Sequence, residues 1–320
     1  MILVTGSAGL IGSGIVKVLR ADGLEVREFD FAANSAQDVR DTAALQEALE
    51  GVSGIVHLAA VSRVVWAERD PQLTEAVNVT PLLQIARHIR SLAAAGGRSP
   101  WLVFASSREV YGECAQLPVR EESGCSPRNV YARSKVAGEE LVASLGSEGF
   151  IANVCRFSNV YGSTADHVDR VVPAFARAAA MGGSIRIEGP DCVFDFTHVD
   201  DVVRGLNLAI RMTAAGERFD PVHFVTGRPC SLRELADLAD ANAHAPVTFL
   251  IAPARTYDVA RFYGDPARAD RLLGWRAEIQ IEQGMPRLID DFRDGPAALP
   301  AADLSGTVAT GFGQRVSGRG

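Results

Sequence analysis

The chain has 320 residues, 47% of them apolar and 22% charged, which is ordinary for a globular protein with a sizeable buried core. Its formal net charge of -7 excludes a basic surface for nucleic acid, and its five cysteines contain no CxxC pair, so we expect neither a nucleic-acid partner nor a metal site. No window approaches the roughly 18 uncharged apolar residues of a membrane span, and Met1 leads directly into ILVTG without a signal-peptide pattern, so we expect a cytoplasmic protein with no membrane partner.

Short β-branched runs alternate with helical patterns through the first half of the chain. The predicted strands are 2–6, 25–30, 54–60, 101–107 and 152–162, and the predicted helices between them lie near 11–22, 42–50, 73–95 and 130–145. This alternation is typical of successive βαβ units, which build a parallel sheet covered by helices on both faces. The predicted fold class is therefore α/β, a Rossmann-type doubly wound parallel sheet.

The second half of the chain has a less regular pattern. Predicted elements are a helix near 171–181, a strand at 184–189, a strand at 222–227, a helix at 231–243 and a helix near 282–293. Ser231 and Glu234 form a capping box at the start of the helix at 231–243. The sequence HVDD (198–201) predicts a helix cap at Asp200 or Asp201. Residues 295–320 are rich in Gly, Ala, Ser and Pro, which predicts a flexible tail.

The sequence TGSAGLIG (5–12) lies between the first strand and the first helix, where a phosphate-binding loop is expected. Gly6 permits a tight turn, Gly9 lets the backbone approach a pyrophosphate, and Gly12 lets the helix pack on the strand. Leu10 and Ile11 begin the helix, and its N-terminus then faces the phosphates. The loop therefore predicts dinucleotide binding.

An acidic residue ends the second predicted strand, as such a loop requires. The Asp30 carboxylate can bind the ribose hydroxyls of NAD and repel a 2'-phosphate, and no arginine occurs in the following FAANSA, so NAD is the predicted cofactor. His57 is interpreted as a core residue. The remaining predicted cofactor contacts are near the adenine (Asp38, Val39) and along the cofactor backbone (Leu58, Ala59, Ala60).

The YARSK sequence supplies the predicted chemistry. Tyr131 and Lys135 lie four residues apart and therefore on one face of a helix. A lysine ammonium and a nicotinamide cation nearby favour the phenolate, so Tyr131 is a candidate acid/base for a hydroxyl group. Ser107, at the end of the fourth predicted strand, can hydrogen-bond the same hydroxyl.

Together these motifs resemble the NAD-dependent epimerase/dehydratase family of extended short-chain dehydrogenases/reductases. The matching motifs are TGSAGLIG, Asp30, DVRD (38–41), HLAA (57–60), Asn78, SSREVYG (106–112), YARSK (131–135), RFSNVYG (156–162), VVPAF (171–175), FDFTHVDDV (194–202) and LGW (273–275). The resemblance implies tightly bound NAD, contacted also by Asn78, transient oxidation of a nucleotide-diphosphate sugar, and a homodimer. It also implies a NAD-binding domain (1–157 plus 193–226) and a substrate-binding domain (158–192 plus 227–294).

The resemblance further assigns substrate contacts to Asn159, Val172 and Arg261, and Ser107 and Arg108 are two more candidate substrate contacts. Family members commonly hold the diphosphate with a second arginine, at a position that is Phe194 here. Either another arginine replaces it, with Arg63, Arg128 and Arg186 as candidates, or the substrate lacks a standard nucleoside diphosphate.

The residues after Ser107 bear on the reaction. Family 4,6-dehydratases carry Thr-Asp-Glu here, with the Asp as the acid, whereas this chain has Ser107-Arg108-Glu109, and a guanidinium cannot donate a proton in that way. Glu109 is a candidate catalytic base or the partner of Arg108 in a salt bridge. The pattern favours 4-epimerisation; the alternatives are UDP-glucuronate decarboxylation, dehydration and a non-enzymatic NAD(P) sensor.

Overall fold

The computed structural model describes residues 1–254 and 259–295, so the predicted tail lies outside the described residues from position 296 onward. The strands are β1 (Ile2–Thr5), β2 (Val26–Phe29), β3 (Gly54–His57), β4 (Trp101–Ser107), β5 (Ala152–Phe157), β6 (Asn159–Tyr161), β7 (Gly183–Glu188), β8 (Val193–Phe194), β9 (Phe196–His198), β10 (Val222–Phe224), β11 (Cys230–Ser231) and β12 (Val247–Ala252). The helices are α1 (Leu10–Ala21), α2 (Thr42–Leu49), α3 (Val64–Arg69), α4 (Pro71–Asn78), α5 (Thr80–Ala94), α6 (Val130–Ser147), α7 (Val171–Met181), α8 (Val199–Ala214), α9 (Leu232–Ala241), α10 (Ala267–Leu273) and α11 (Ile281–Asp294), with a 3₁₀ turn at Arg108–Tyr111.

A six-stranded parallel sheet forms the centre of the fold, in the order β2-β1-β3-β4-β5-β10. The chain proceeds outward from β1 to β2 on one side and from β3 to β10 on the other. Ligands of such sheets bind at the carboxyl ends of the strands where this direction changes. The candidate site is therefore expected above β1, β3 and β4.

Helices cover both faces of this sheet. Helices α1 and α8 pack on one face through apolar residues such as Ile15 and Leu206, and α2, α5 and α6 pack on the other through residues such as Leu45 and Ile85. Strands β3, β4 and β5 are buried along their whole length, as expected for strands covered on both sides. The predicted doubly wound α/β fold is confirmed.

A smaller apolar core lies beside the main sheet. It is formed mainly by α7, α9 and α11, next to the parallel pair β7–β12. Trp275, after α10, instead packs in the core between the main sheet and α8. The division into two domains with the boundaries given above remains a proposal.

Three local predictions were wrong. The predicted strand 152–162 is divided into β5 and β6, which belong to different sheets. The predicted helix 73–95 is interrupted after Asn78, because Pro81 has no N–H to donate to the carbonyl four residues earlier and therefore starts a new helix, α5. The cap of α8 is His198, whose ring Nδ1 accepts from the Asp200 N–H, rather than Asp200 or Asp201. The capping box of Ser231 and Glu234 is confirmed. Within residues 1–254 and 259–295, no helix is long and apolar enough to cross a membrane.

Candidate active site

The glycine loop lies at the carboxyl end of β1, tightly packed against neighbouring backbone. Gly6 has a φ of +71°, and a Cβ there would come within 2.7 Å of the Ala59 backbone nitrogen. A Cβ on Gly12 would come within 2.0 Å of the Gly6 carbonyl oxygen. Gly9 caps α1 without a side chain, so the first N–H groups of the helix, at Leu10 and Ile11, are left for an anion.

Asp30 is attached to this loop by hydrogen bonds. Its carboxylate accepts from the backbone N–H of Ala8 at 2.9 Å and of Ala32 at 2.8 Å. The Asp38 carboxylate is paired with Arg40, whose Nε lies 2.9 Å from Oδ2, so the positive charge of this nearby arginine is already compensated. Asp30 therefore lies beside the glycine loop, and its contact with a ribose remains a prediction.

The other predicted cofactor contacts differ in their exposure. Val39 is 7% exposed in the core under α2, whereas Leu58, Ala59 and Ala60 are partly exposed after β3. Asn78 is 1% exposed, and its side chain accepts from the Val61 N–H at 2.7 Å and donates to Ser134 Oγ at 2.9 Å. Asn78 thus fixes the segment after β3 against α6.

The residues of the chain fit NAD on three structural observations. The glycine loop leaves no room for side chains facing the helix N-terminus, and Asp30 sits beside it. Ser7 Oγ, in the same loop, is buried and has no hydrogen-bond partner among the described residues. A dinucleotide pyrophosphate would satisfy both this hydroxyl and the helix N–H groups.

Tyr131, Lys135 and Ser107 come together where α6 passes the end of β4. The Ser107 hydroxyl lies close enough to the Tyr131 phenol to act on its pKa, and the Lys135 ammonium lies 5.8 Å from the centre of the Tyr131 ring. Lys135 Nζ donates to the Ala105 carbonyl at 2.8 Å. All three side chains are nearly buried, with exposures of 9%, 3% and 8%.

Burial controls the acidity of both groups on α6. It raises the pKa of Tyr131, although the Ser107 hydrogen bond and the charges of Arg170 and Arg108 act in the opposite direction. Burial also lowers the pKa of Lys135, to about 8. We expected neighbouring positive groups to favour the phenolate of Tyr131. In the protein without cofactor, the desolvation of the phenolate is a larger effect than these groups, so the pKa is raised.

Glu109 is held by two partners. Its Oε1 lies 2.7 Å from Arg108 Nη2, and its Oε2 accepts from Asn129 Nδ2 at 3.0 Å. Asn129 is itself the N-cap of α6. Glu109 therefore joins the turn after β4 to the helix that carries Tyr131. This arrangement agrees with the salt-bridge interpretation. Because both carboxylate oxygens have partners, neither is free to act as the predicted base.

Two nearby residues were not predicted from the sequence. Arg170 acts on Tyr131 through its charge, while its Nη2 donates to Ser62 Oγ at 2.9 Å. Glu139 lies one turn after Lys135 and accepts from Arg156 Nη2 at 2.6 Å. The four-residue spacing of Tyr131, Lys135 and Glu139 was a usable signal for Glu139, but no local pattern marks Arg170.

Three of the predicted substrate residues, Asn159, Val172 and Arg261, lie outside the end of β4 and the turn after it, which hold Ser107 and Arg108. Asn159 is half-buried and its N–H donates to the Asp195 carbonyl, whereas Val172 is buried at 3% exposure. Arg261 is exposed and forms a β-bridge with Val193, next to Phe194. The candidate replacement arginines each have a carboxylate partner, in the pairs Arg63–Asp169, Arg128–Glu113 and Arg186–Glu188.

Comparison with known proteins gives a consistent result. The NAD dependent epimerase/dehydratase family matches residues 2–227. The chain is 31% identical over 319 residues to the UDP-glucose 4-epimerase of Mycolicibacterium smegmatis, with 91% of this chain and 98% of that protein covered.

Solved structures are similar over the same length. The UDP-glucose 4-epimerase of Thermus thermophilus in complex with NAD superposes with a TM-score of 0.82 at 27% identity, covering 92% of this chain and 99% of that one. The UDP-glucose 4-epimerase of Thermotoga maritima with UDP-glucose gives a TM-score of 0.82 at 26% identity, covering 91% and 98%.

Proposed function

The chain belongs to the NAD-dependent epimerase/dehydratase family and is an NAD-dependent enzyme, and we propose that it catalyses 4-epimerisation of a nucleotide-diphosphate sugar with Tyr131 as the acid/base. The observation that carries this proposal is the convergence of the buried side chains of Tyr131, Lys135 and Ser107 at the carboxyl end of β4. Relatives named as UDP-glucose 4-epimerases support a nucleotide sugar as substrate.

In the proposed reaction, Ser107 and Tyr131 bind the hydroxyl on C4 of the sugar. Tyr131 accepts its proton while the carbon is oxidised to a ketone, and Ser107 keeps the oxygen in place. NAD, when bound, supplies the hydride acceptor and then the hydride donor. Tyr131 holds the proton until the ketone has presented its other face, and then returns it, which completes the inversion at C4.

Lys135 has a supporting role in this proposal. Its ammonium donates to the Ala105 carbonyl at 2.8 Å, which holds it 5.8 Å from the centre of the Tyr131 ring. At neutral pH it is protonated, because its pKa of about 8 is above 7. A positive charge near the phenol favours the phenolate form, although burial is the larger influence on the tyrosine.

The surroundings of Ser107 argue against dehydration. A dehydratase needs a group that protonates the departing hydroxyl, and the side chain next to Ser107 is the guanidinium of Arg108, which stays protonated. Both oxygens of Glu109 already have partners in Arg108 and Asn129. Epimerisation needs neither a further acid nor a further base.

The decisive experiment follows the product of purified protein with UDP-glucose, UDP-galactose and UDP-glucuronate in deuterated water. We expect altered configuration at C4 without solvent deuterium on carbon. Deuterium incorporation with loss of water would overturn the proposal in favour of dehydration, and loss of carbon dioxide would indicate decarboxylation.

A pair of tyrosine variants tests the assigned acid/base. Tyr131→Phe should lower turnover about 100- to 10,000-fold, the usual range for a general acid/base, with NAD binding retained. Tyr161→Phe is the matched control, because Tyr161 is also buried but lies in the smaller core. Bound NAD without turnover of any candidate sugar by the wild type would instead favour a sensor. The expected homodimer is checked separately by sedimentation.

A further inference from the structure

Arg108 has unusual surroundings for a buried charge. It follows Ser107 directly, in the 3₁₀ turn after β4, and is 8% exposed. Its Nη2 is paired with Glu109 Oε1 at 2.7 Å. Within residues 1–254 and 259–295, however, its Nε and Nη1 are buried and have no hydrogen-bond partner. Two of its three nitrogens therefore carry unused donors.

Two aromatic rings explain how the guanidinium is held. Its central carbon lies 5.1 Å from the centre of the Phe194 ring and 5.4 Å from that of Phe262. Such contacts use the flat face of a guanidinium, whereas its N–H donors point outward in its plane. The rings thus pack against the guanidinium of Arg108, but they satisfy none of its hydrogen bonds.

Glu109 does not account for these donors. One of its oxygens pairs with Nη2, and the other accepts from Asn129 Nδ2 at 3.0 Å. A buried, partly unpaired guanidinium is costly in a folded protein unless another acceptor compensates it. The arrangement is therefore typical of a site that receives an acceptor from a ligand.

The position of Arg108 indicates which part of a ligand it meets. It is adjacent in sequence to Ser107, and its charge, with those of Arg170 and Glu109, acts on the Tyr131 phenol, although burial is the larger influence on the pKa of that group. Two arginines and one glutamate face this region, which makes it attractive to an anion. Arg170 donates to Ser62 Oγ and also pairs with Asp166 at 3.4 Å, whereas Nε and Nη1 of Arg108 have no partner among the described residues.

We propose that Arg108 binds an oxyanion of the nucleotide-sugar substrate through its Nε and Nη1 donors, which is a specificity contact of the site and rests on the proposed function. The oxyanion is either a carboxylate on the reacting sugar or an oxygen of the diphosphate. Both present the acceptor that a guanidinium binds well. The two sources differ in which substrates depend on Arg108.

Binding measurements distinguish them. Calorimetric titrations of the NAD-loaded wild type and Arg108→Gln would use UDP, UDP-glucose and UDP-glucuronate as probes. Loss of a charge-assisted hydrogen bond should weaken binding about 10- to 100-fold. If only UDP-glucuronate binding weakens, the carboxylate is the partner. If all three weaken equally, the diphosphate is the partner. Either result supports the proposal.

Two further variants keep the experiment decisive. Arg108→Lys retains the charge but not the planar donors, so its affinity should fall less than that of Arg108→Gln and for the same probes. This variant also provides the test if Arg108→Gln does not fold. Arg120→Gln is the control, since the Arg120 side chain is 72% exposed and pairs with Asp265. Affinities of both Arg108 variants equal to wild type for all three probes would overturn the proposal, as would a wild type that binds none of them.

The outcome is independent of the proposed reaction. The titrations measure affinity, whereas the 4-epimerase proposal fails when bound sugar nucleotide is not turned over. A protein that binds these probes through Arg108 without inverting C4 would therefore contradict the reaction and support the contact.

Discussion

Replacing Lys135 with methionine should stabilise the protein while it lowers turnover. Lys135 is 3% exposed, and burial lowers its pKa from the ordinary 10.5 to about 8, with Glu139 partly opposing this shift. A difference of one in pKa corresponds to about 1.4 kcal/mol, so the buried ammonium costs roughly 3 kcal/mol at pH 7. Methionine has a similar length and carries no charge.

The substitution also removes a favourable contact. Lys135 Nζ donates to the Ala105 carbonyl at 2.8 Å, and the loss of such a bond costs about 1 kcal/mol. We therefore expect Lys135→Met to be more stable than wild type by about 2 kcal/mol at pH 7. Turnover should fall about 100-fold or more, because the charge beside the tyrosine is lost.

The pH dependence of this difference has a definite sign. Between pH 8 and 10.5 the unfolded chain retains a proton on Lys135 that the folded chain has released, so the stability of the wild type rises with pH relative to the variant. Below pH 8 the full cost of the buried charge is present, and above 10.5 it is absent.

Urea unfolding of nucleotide-stripped protein, followed by circular dichroism at several pH values from 7 to about 10.5, measures this effect. The control is Lys17→Met, since Lys17 is the only other lysine of the chain and is exposed on α1. A Lys135→Met protein less stable than wild type at pH 7, or a difference independent of pH, would refute the reasoning.

Three further predictions concern the loop, the core and the turn after β4. Gly12→Ala should weaken NAD binding at least about tenfold in fluorescence titrations, because a Cβ would lie 2.0 Å from the Gly6 carbonyl oxygen. The control Gly146→Ala should bind NAD normally, because a Cβ there would have no atom within 4 Å. Asp195→Ala should destabilise the fold by about 3 kcal/mol or more in urea unfolding. The reason is that the buried carboxylate accepts from the Thr226 N–H at 2.8 Å and the Gly227 N–H at 2.9 Å. A variant as stable as wild type would contradict this prediction. Glu109→Gln should reduce kcat by no more than about tenfold, whereas a loss above about 1,000-fold would identify Glu109 as a catalytic base.

The main architecture could be predicted from the sequence because its signals are local. Buried β-branched runs, glycine spacing and the capping box of Ser231 and Glu234 each depend on a few neighbouring residues. Where prediction failed, a neighbouring group competed with the signal. Pro81 interrupted a continuous helical pattern, and His198 capped α8 ahead of the two aspartates that follow it.

The candidate site was predictable in part, for the same reason. Tyr131 and Lys135 share one helical face, and Ser107 ends a strand, so their proximity follows from local geometry. The pairing of Arg170 with Ser62 spans 108 positions, and no sequence pattern encodes it. The direction of the Tyr131 pKa was likewise inaccessible, because it depends on burial that only the packed structure defines.

The two residues after Ser107 bear on the reaction through their packing as well as their identity. Arg108 is held against Phe194 and Phe262, and Glu109 is shared between Arg108 and Asn129. A reaction that expels a hydroxyl or removes a ring proton would need one of them to give up these contacts, at the cost of a buried unpaired charge. Proton exchange at Tyr131 requires no such rearrangement, since its phenol lies beside Ser107 and takes no part in these contacts. The packing of this turn therefore favours a reaction confined to one hydroxyl and its carbon, which is the chemistry proposed here.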